Sequence, residues 1–151
     1  MTVRVAVDSS VIVKWFKKGE EFEGEALTLR DNVLSGSIVL VMSEWVFLEV
    51  VRGLAKAGFT KDKVVQVHNV LREMANLGFI EVMSVHSLLE KAKELIVVLN
   101  LYASDAVNLA SALMKRVNMV SEDKHLLRES VKNYVGKFGI KILRLKELYI
   151  T

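Results

Sequence analysis

Two apolar rhythms alternate along this chain, one of period two and one of period 3.6, and that alternation restricts the fold more than any other feature. Val3, Val5 and Val7 repeat every second residue and end at Asp8, as a strand does. Ser10 to Phe16 reads as a short helix, and Glu21 to Leu34 as a longer one with Phe22, Ala26, Leu27 and Leu29 at its apolar positions. Ile38 to Val41 is apolar without a break, the pattern of a strand covered on both faces. Helices are predicted over Ser43 to Ala57, closed by Gly58, and over Lys61 to Asn76, closed by Gly78. Phe79 to Val82 follows as a strand, then Ser87 to Leu99 and Ser104 to Val117 as helices. Asn118 to Ser121 is a short strand, Asp123 to Tyr134 a helix and Ile140 to Leu143 a last strand. Strands and helices in this order imply an α/β fold of three layers, α/β/α, about a central, mainly parallel sheet. Such sheets bind ligands in the crevice beyond the carboxyl ends of their strands.

Composition narrows the class of protein. At 151 residues the chain has the usual length of one domain, and a single domain over 1–151 is expected, since no linker, repeat or low-complexity run interrupts it. Apolar residues make up 52% of it, enough for a large core and against disorder. There is no cysteine, which excludes disulfides, thiolate nucleophiles and Cys-ligated zinc. No secretory signal pattern opens the sequence, and no apolar run approaches the roughly 20 residues of a membrane span. These features point to a soluble, cytoplasmic protein with no membrane partner. The formal charge of +3 is compatible with nucleic acid and equally with an ordinary surface.

Four acids stand where the fold gives them meaning. Asp8 ends the first strand, at the mouth of the expected crevice, although Asp8 or Ser9 would also make a normal N-cap. Asp123 repeats the arrangement after Met119-Val120-Ser121-Glu122. Asp105 follows Ser104, a natural N-cap, and an acid in a first helical turn suits the helix dipole. That leaves unexplained why the face carrying Asp105, Asn108 and Ser111 is small and polar in an otherwise apolar helix. Glu49 lies mid-helix with Arg52 and Lys56 at helical spacing, so a solvated ion-pair stripe would account for it. The segment around Glu49 is nevertheless apolar enough to be mostly buried, where an acid normally needs a partner or a metal.

One chemistry would join all four. Mg²⁺ and Mn²⁺ take oxygen ligands, usually a few carboxylates completed by water and phosphate. Carboxylates gathered without a cation repel one another and raise one another's pKa values, and a cation relieves that repulsion and makes the site attractive to phosphate. His68, His86 and His125 are isolated in sequence, so no Ser-His-Asp or Cys-His arrangement competes.

The order of these motifs resembles the PIN domain, and within it the nuclease toxins of VapBC toxin–antitoxin pairs. Val7-Asp8-Ser9-Ser10 is similar to the family's first motif, and Glu49-Val50-Val51-Arg52-Gly53-Leu54 to its second. Leu101-Tyr102-Ala103-Ser104-Asp105-Ala106 with Leu109-Ala110 resembles the third, and Val120-Ser121-Glu122-Asp123 with Leu126-Leu127 the fourth. The resemblance implies that Asp8, Glu49, Asp105 and Asp123 are the catalytic, metal-binding acids, with Ser9 and Ser121 as supporting hydroxyls. It also implies Mg²⁺ or Mn²⁺ as cofactor, RNA as substrate, a homodimer and a small VapB-like antitoxin partner. The chain departs from the pattern at Ser104, where Tyr is frequent, and at Met42-Ser43, where Pro is frequent, and Glu44 is an extra acid nearby, although Glu49 fits the register of the second motif better. Lys14, Arg52 and Lys124 are candidate contacts to the RNA backbone, within a wider set of Lys17, Lys18, Lys115, Arg116 and Arg128 that would equally suit a solvated surface.

Other functions make different demands on the same residues. A haloacid-dehalogenase-like phosphatase needs an acid two residues after the first Asp, where this chain has Ser10. A response-regulator receiver needs acids clustered before that Asp and a late strand-end Lys, which are missing. A non-catalytic RNA-binding or scaffold module on the PIN fold, or a housekeeping RNA-processing nuclease, is the alternative to a toxin.

Overall fold

The computed structural model describes residues 2–148, so both ends of the 1–151 span lie outside the described residues. Five strands make one sheet: β1 (Val3–Val7), β2 (Ile38–Ser43), β3 (Ile80–Met83), β4 (Met119–Val120) and β5 (Ile142–Leu143). Their order is β3-β2-β1-β4-β5, and every neighbouring pair is parallel. The helices are α1 (Ser9–Ile12), which runs into a 3₁₀ turn over Val13–Trp15, α2 (Glu23–Leu34), α3 (Trp45–Lys56) and α4 (Lys61–Asn76). They continue with α5 (Val85–Leu99), α6 (Ala103–Lys115), α7 (Glu129–Gly136) and α8 (Leu145–Leu148).

Strand residues divide their side chains between two cores, which is why the central strands read as unbroken apolar runs. Val5, Val7, Leu40, Met42, Ile80 and Val120 face one core, which buries residues of α1 to α4 and α8. Ala6, Val41, Met119 and Ile142 face the other, built with α5, α6 and α7. The α/β/α layering follows from this division.

The chain crosses from β1 to β2 and β3 on one side, then returns to lay β4 against the opposite edge of β1. The order reverses between β1 and β4, and in a parallel sheet that switch point leaves a crevice at the carboxyl ends of the two strands. Ala6 pairs with Met119 and Val7 with Val120, so Asp8 and Ser121 leave the sheet side by side.

Local signals set most helix ends. Gly58 and Gly78 adopt φ +88° and +89° just past α3 and α4. There the amides of Phe59 and Phe79 donate to the carbonyls of Leu54 and Met74, a closure that the left-handed glycine makes possible. Thr60 caps α4 by accepting from the Lys63 amide, and Ser84 caps α5 by accepting from Ser87. Ser84 therefore starts α5 at Val85, two residues ahead of the expected Ser87.

The main departures lie in the last third of the chain. Ser104 does not cap α6: Tyr102 holds the N-cap position without a side-chain bond, and Ser104 lies in the first turn. The helix expected from Asp123 is shorter, because residues 124–127 form turns and Arg128 is extended before α7 opens at Glu129. Asp123 caps the turn, accepting from the His125 amide at 2.7 Å, which satisfies that segment locally and lets a break follow. No single helix among the described residues is long and apolar enough to cross a membrane.

Candidate active site

Asp8 follows the last residue of β1 and caps α1, and its carboxylate is buried at 3% exposure. Both of its oxygens are engaged. Oδ1 accepts from the Ser10 amide at 3.1 Å and from the Ser10 hydroxyl, and Oδ2 accepts from the Ser121 hydroxyl at 2.6 Å. The same hydroxyls reach on to the next strand end. The Glu122 amide donates to Ser10 Oγ at 2.9 Å, and the Asp123 amide to Ser121 Oγ at 3.0 Å. Two serines thus stitch the carboxyl ends of β1 and β4 together through Asp8. Ser9 opens α1 half-buried, and among the described residues no side-chain hydrogen bond joins it to Asp8. The hydroxyl that sequence reasoning missed on this side is that of Ser10.

Glu49 lies midway along α3, half-buried, and its partner is not on its own helix. No ion pair links it to Arg52 or Lys56 among the described residues. Its Oε1 instead accepts from the Asn108 amide of α6 at 2.7 Å. Asn108 is 1% exposed, and its own Oδ1 accepts from the buried Ser43 hydroxyl at the end of β2 at 2.8 Å. Ser111 turns inward as well, donating to the Asn108 carbonyl at 2.6 Å. The small polar face of α6 is therefore a buried hydrogen-bonded seam against α3 and β2.

Asp105 sits in the first turn of α6, 7% exposed, and no hydrogen bond to its carboxylate is found among the described residues. Asp123 is half-buried just beyond β4. The electrostatics show that the four acids share one region. Burial pushes Asp8 up to about 6 against the opposing pull of its serine bonds, and the charge of Asp123 adds to the rise. Glu49 is pushed up to about 7, first by burial, then by Asp8, Asp105 and Asp123, with the Asn108 bond opposing. Asp105 rises to about 6 through burial and Asp123, and the charges of His125 and Arg128 oppose it. Four segments far apart in sequence thus bring their acids within electrostatic reach at the switch point. Among the described residues, no three Asp, Glu or His side chains are already close enough together to hold one ion.

The basic residues divide. Lys14 donates to the Glu21 carbonyl at 2.8 Å, Lys17 pairs with Glu20 at 3.3 Å, and Lys115 pairs with Glu81 at 2.6 Å. Lys115 ends α6, ten residues from Asp105 and so about 15 Å along the helix, and Arg116 follows it at the same far end. Arg128 donates to the carbonyls of His125 and Leu99, which fixes it beside the turn that follows Asp123. Lys18, Arg52 and Lys124 are exposed, with no ion pair among the described residues. Glu122 is turned away from the other acids: its carboxylate accepts from Arg144 at 2.9 Å and from the Leu145 amide at 2.8 Å, tying β5 and α8 to this corner.

The family model of the PIN domain matches residues 5–131. Solved structures are similar at low identity. A toxin–antitoxin complex from Klebsiella pneumoniae matches with a TM-score of 0.54 and 18% identity, covering 83% of this chain and 92% of that one. The crystal structure of PAE2754 from Pyrobaculum aerophilum matches with a TM-score of 0.51 and 17% identity, covering 92% and 98% of the two chains. A search of curated proteins found no match.

Proposed function

This chain belongs to the PIN-domain family, and from that premise we propose that it is a metal-dependent endoribonuclease, the VapC-type toxin of a type II toxin–antitoxin pair. PIN domains are generally nucleases, and PIN nucleases typically use divalent metals. The observation that carries the reading is the convergence of Asp8, Glu49, Asp105 and Asp123, three of them with carboxyls pushed well above the ordinary range. Acids buried near one another at that cost, set first by burial and then by their mutual charge, are expected where a cation offsets it.

The donor set fits Mg²⁺ or Mn²⁺: carboxylate and hydroxyl oxygens, with no thiolate in the chain. Asp8, Glu49, Asp105 and Asp123 are the residues that would hold the ion. When bound, such an ion polarises a phosphoryl oxygen and lowers the pKa of water at neutral pH. The chain's own part is orientation. Ser10 and Ser121 fix both oxygens of Asp8, and their bonds to the Glu122 and Asp123 amides carry that order to the second strand end. Exposed Arg52 and Lys124, with Lys14, supply positive charge for the backbone of an RNA strand. The toxin role, and with it a small VapB-like antitoxin partner, draws on the likeness to a toxin–antitoxin complex, and a homodimer is expected from the family resemblance alone.

The test is cleavage of a mixed RNA pool by the purified protein with Mn²⁺, with EDTA, and by Asp8→Asn. Cleavage that requires metal and is lost in the variant supports the nuclease. Folded protein that binds RNA and leaves it intact under every condition overturns it in favour of a binding module.

A further inference from the structure

We propose that Asn108 and Ser43 form a positioning relay that aims the Glu49 carboxylate at a divalent cation, with Asn108 acting through Glu49 rather than on substrate. This rests on the metal-dependent reading above. The three side chains come from α6, β2 and α3, so the relay fixes one site residue against two elements that its own helix does not control. Its polarity is defined. Ser43 donates to the Asn108 oxygen at 2.8 Å, which turns the amide nitrogen toward Glu49 Oε1 at 2.7 Å. No hydrogen bond among the described residues reaches the other oxygen, Oε2, which is thus left available as a ligand.

Size and burial explain why Asn serves here. The pocket is sealed, with Ser43 at 0% and Asn108 at 1% exposure, so each polar atom must find its partner inside the protein. Asn offers one acceptor and a donor side about 2 Å apart, enough to bond a hydroxyl and a carboxylate at once. Leu would keep the volume and satisfy neither, whereas Asp would set a second carboxylate against Glu49. A helical Glu is otherwise a flexible ligand with three rotatable bonds, and outer-shell partners that restrict such ligands are commonly worth about 10- to 100-fold in metal affinity.

The experiment measures Mn²⁺ binding directly, from the EPR signal of the free ion, alongside RNA cleavage and melting temperature. Asn108→Leu is expected to weaken Mn²⁺ binding by about tenfold or more and to lower kcat with KM for RNA nearly unchanged. Ser43→Ala, which keeps the bond to Glu49 and only frees the amide, should weaken binding by about threefold and serves if the Leu variant does not fold. Because the relay acts through Glu49, adding Asn108→Leu to Glu49→Ala should leave Mn²⁺ binding where Glu49→Ala alone puts it. Folded variants that bind Mn²⁺ as the unmodified protein does, or losses that add in full in the double variant, overturn the relay. Mn²⁺ binding that depends on Asn108 in a protein that cleaves no RNA upholds the relay and overturns the nuclease. A protein that binds no Mn²⁺ overturns both.

Discussion

Asp8 and Asp105 are both buried, and both carboxyls are pushed up to about 6, yet they reach that state from opposite surroundings. Asp8 is saturated: a backbone amide and two serine hydroxyls bond its oxygens, and they offset part of the cost of taking the charge out of water. Asp105 has no such bonds among the described residues, and only the more distant charges of His125 and Arg128 favour its ionised form. One carboxylate is therefore part of the fold, a clasp between β1 and β4. The other is carried by the fold at a cost that no hydrogen bond among the described residues offsets, as the proposed metal-binding role would require. Equal pKa values conceal unequal roles.

Activity is where the two should look most alike. If both hold the cation, Asp8→Asn and Asp105→Asn should each lower kcat/KM for RNA by about a thousandfold or more, since losing several kcal/mol of charge stabilisation costs a factor of ten per 1.36 kcal/mol. Single-turnover cleavage at saturating Mn²⁺ measures this. An Asp105→Asn enzyme within a factor of ten of the parent would remove Asp105 from the site and leave Asp8 with Glu49 and Asp123.

Stability is where they should part. Asp8→Ala takes the acceptor from the buried Ser121 hydroxyl and the half-buried Ser10 hydroxyl, and urea unfolding should record a loss of about 1–3 kcal/mol, the penalty of one unsatisfied buried group. Asp105→Ala removes a buried charge that nothing bonds, so metal-free stability should hold or rise. A loss of similar size in both would mean that Asp105 has structural partners after all.

How far the sequence could anticipate this pair depends on the range of the interactions. The positions of Asp8 and Asp123 were legible because Asp8 follows directly on β1 and Asp123 lies three residues past β4, and the end of a parallel strand has a fixed meaning. Lys61–Asn76 was legible to the residue, since Thr60 and Gly78 mark its ends locally. The strands Met119–Val120 and Ile142–Leu143 pair over two residues each, too few for a periodic signal to fix their bounds. The partners of Glu49 lay beyond reach for another reason. Asn108 is 59 residues away from Glu49, and Ser43 is 65 from Asn108, so only the folded chain shows that Glu49 meets the polar face of α6 rather than a solvated stripe on its own helix.

pH offers a gentler probe of the same contrast. Each raised carboxyl binds its proton more tightly in the folded chain than in the unfolded one. Between about pH 4, where the unfolded groups titrate, and pH 6 to 7, the folded protein holds more protons, and its stability falls as pH rises. The metal-free protein should accordingly melt several degrees lower at pH 8 than at pH 5, and Mn²⁺ at pH 8 should recover most of the difference. Thermal melts at both pH values, with and without the ion, read this directly. Asp105→Asn should shrink the pH effect without lowering the melting temperature at pH 5, and Mn²⁺ should then restore less. A melting temperature flat across this range would mean that the acids ionise without cost, and the need for a cation would lose its physical basis.

The smallest effect concerns the charges flanking the two acids. On the Asp8 side Lys14 is tied down by the Glu21 carbonyl, whereas beyond Asp123 Lys124 is exposed and makes no ion pair among the described residues. A lysine free to settle on a phosphate releases a counterion when it does so, and for single strands each such contact adds about 0.7 to the slope of log K against log salt. Lys124→Ala should therefore flatten that slope by about 0.7 and weaken RNA binding a few-fold at low salt. Lys14→Ala should change the slope less, because part of its bonding capacity is already used within the protein. Fluorescence anisotropy with a single-stranded RNA over a salt series, in EDTA to suppress cleavage, resolves a difference of this size. If Lys14 proves the stronger of the two, the RNA passes over the structurally fixed acid, and the path must be redrawn across the carboxyl end of α1, where Lys14 lies.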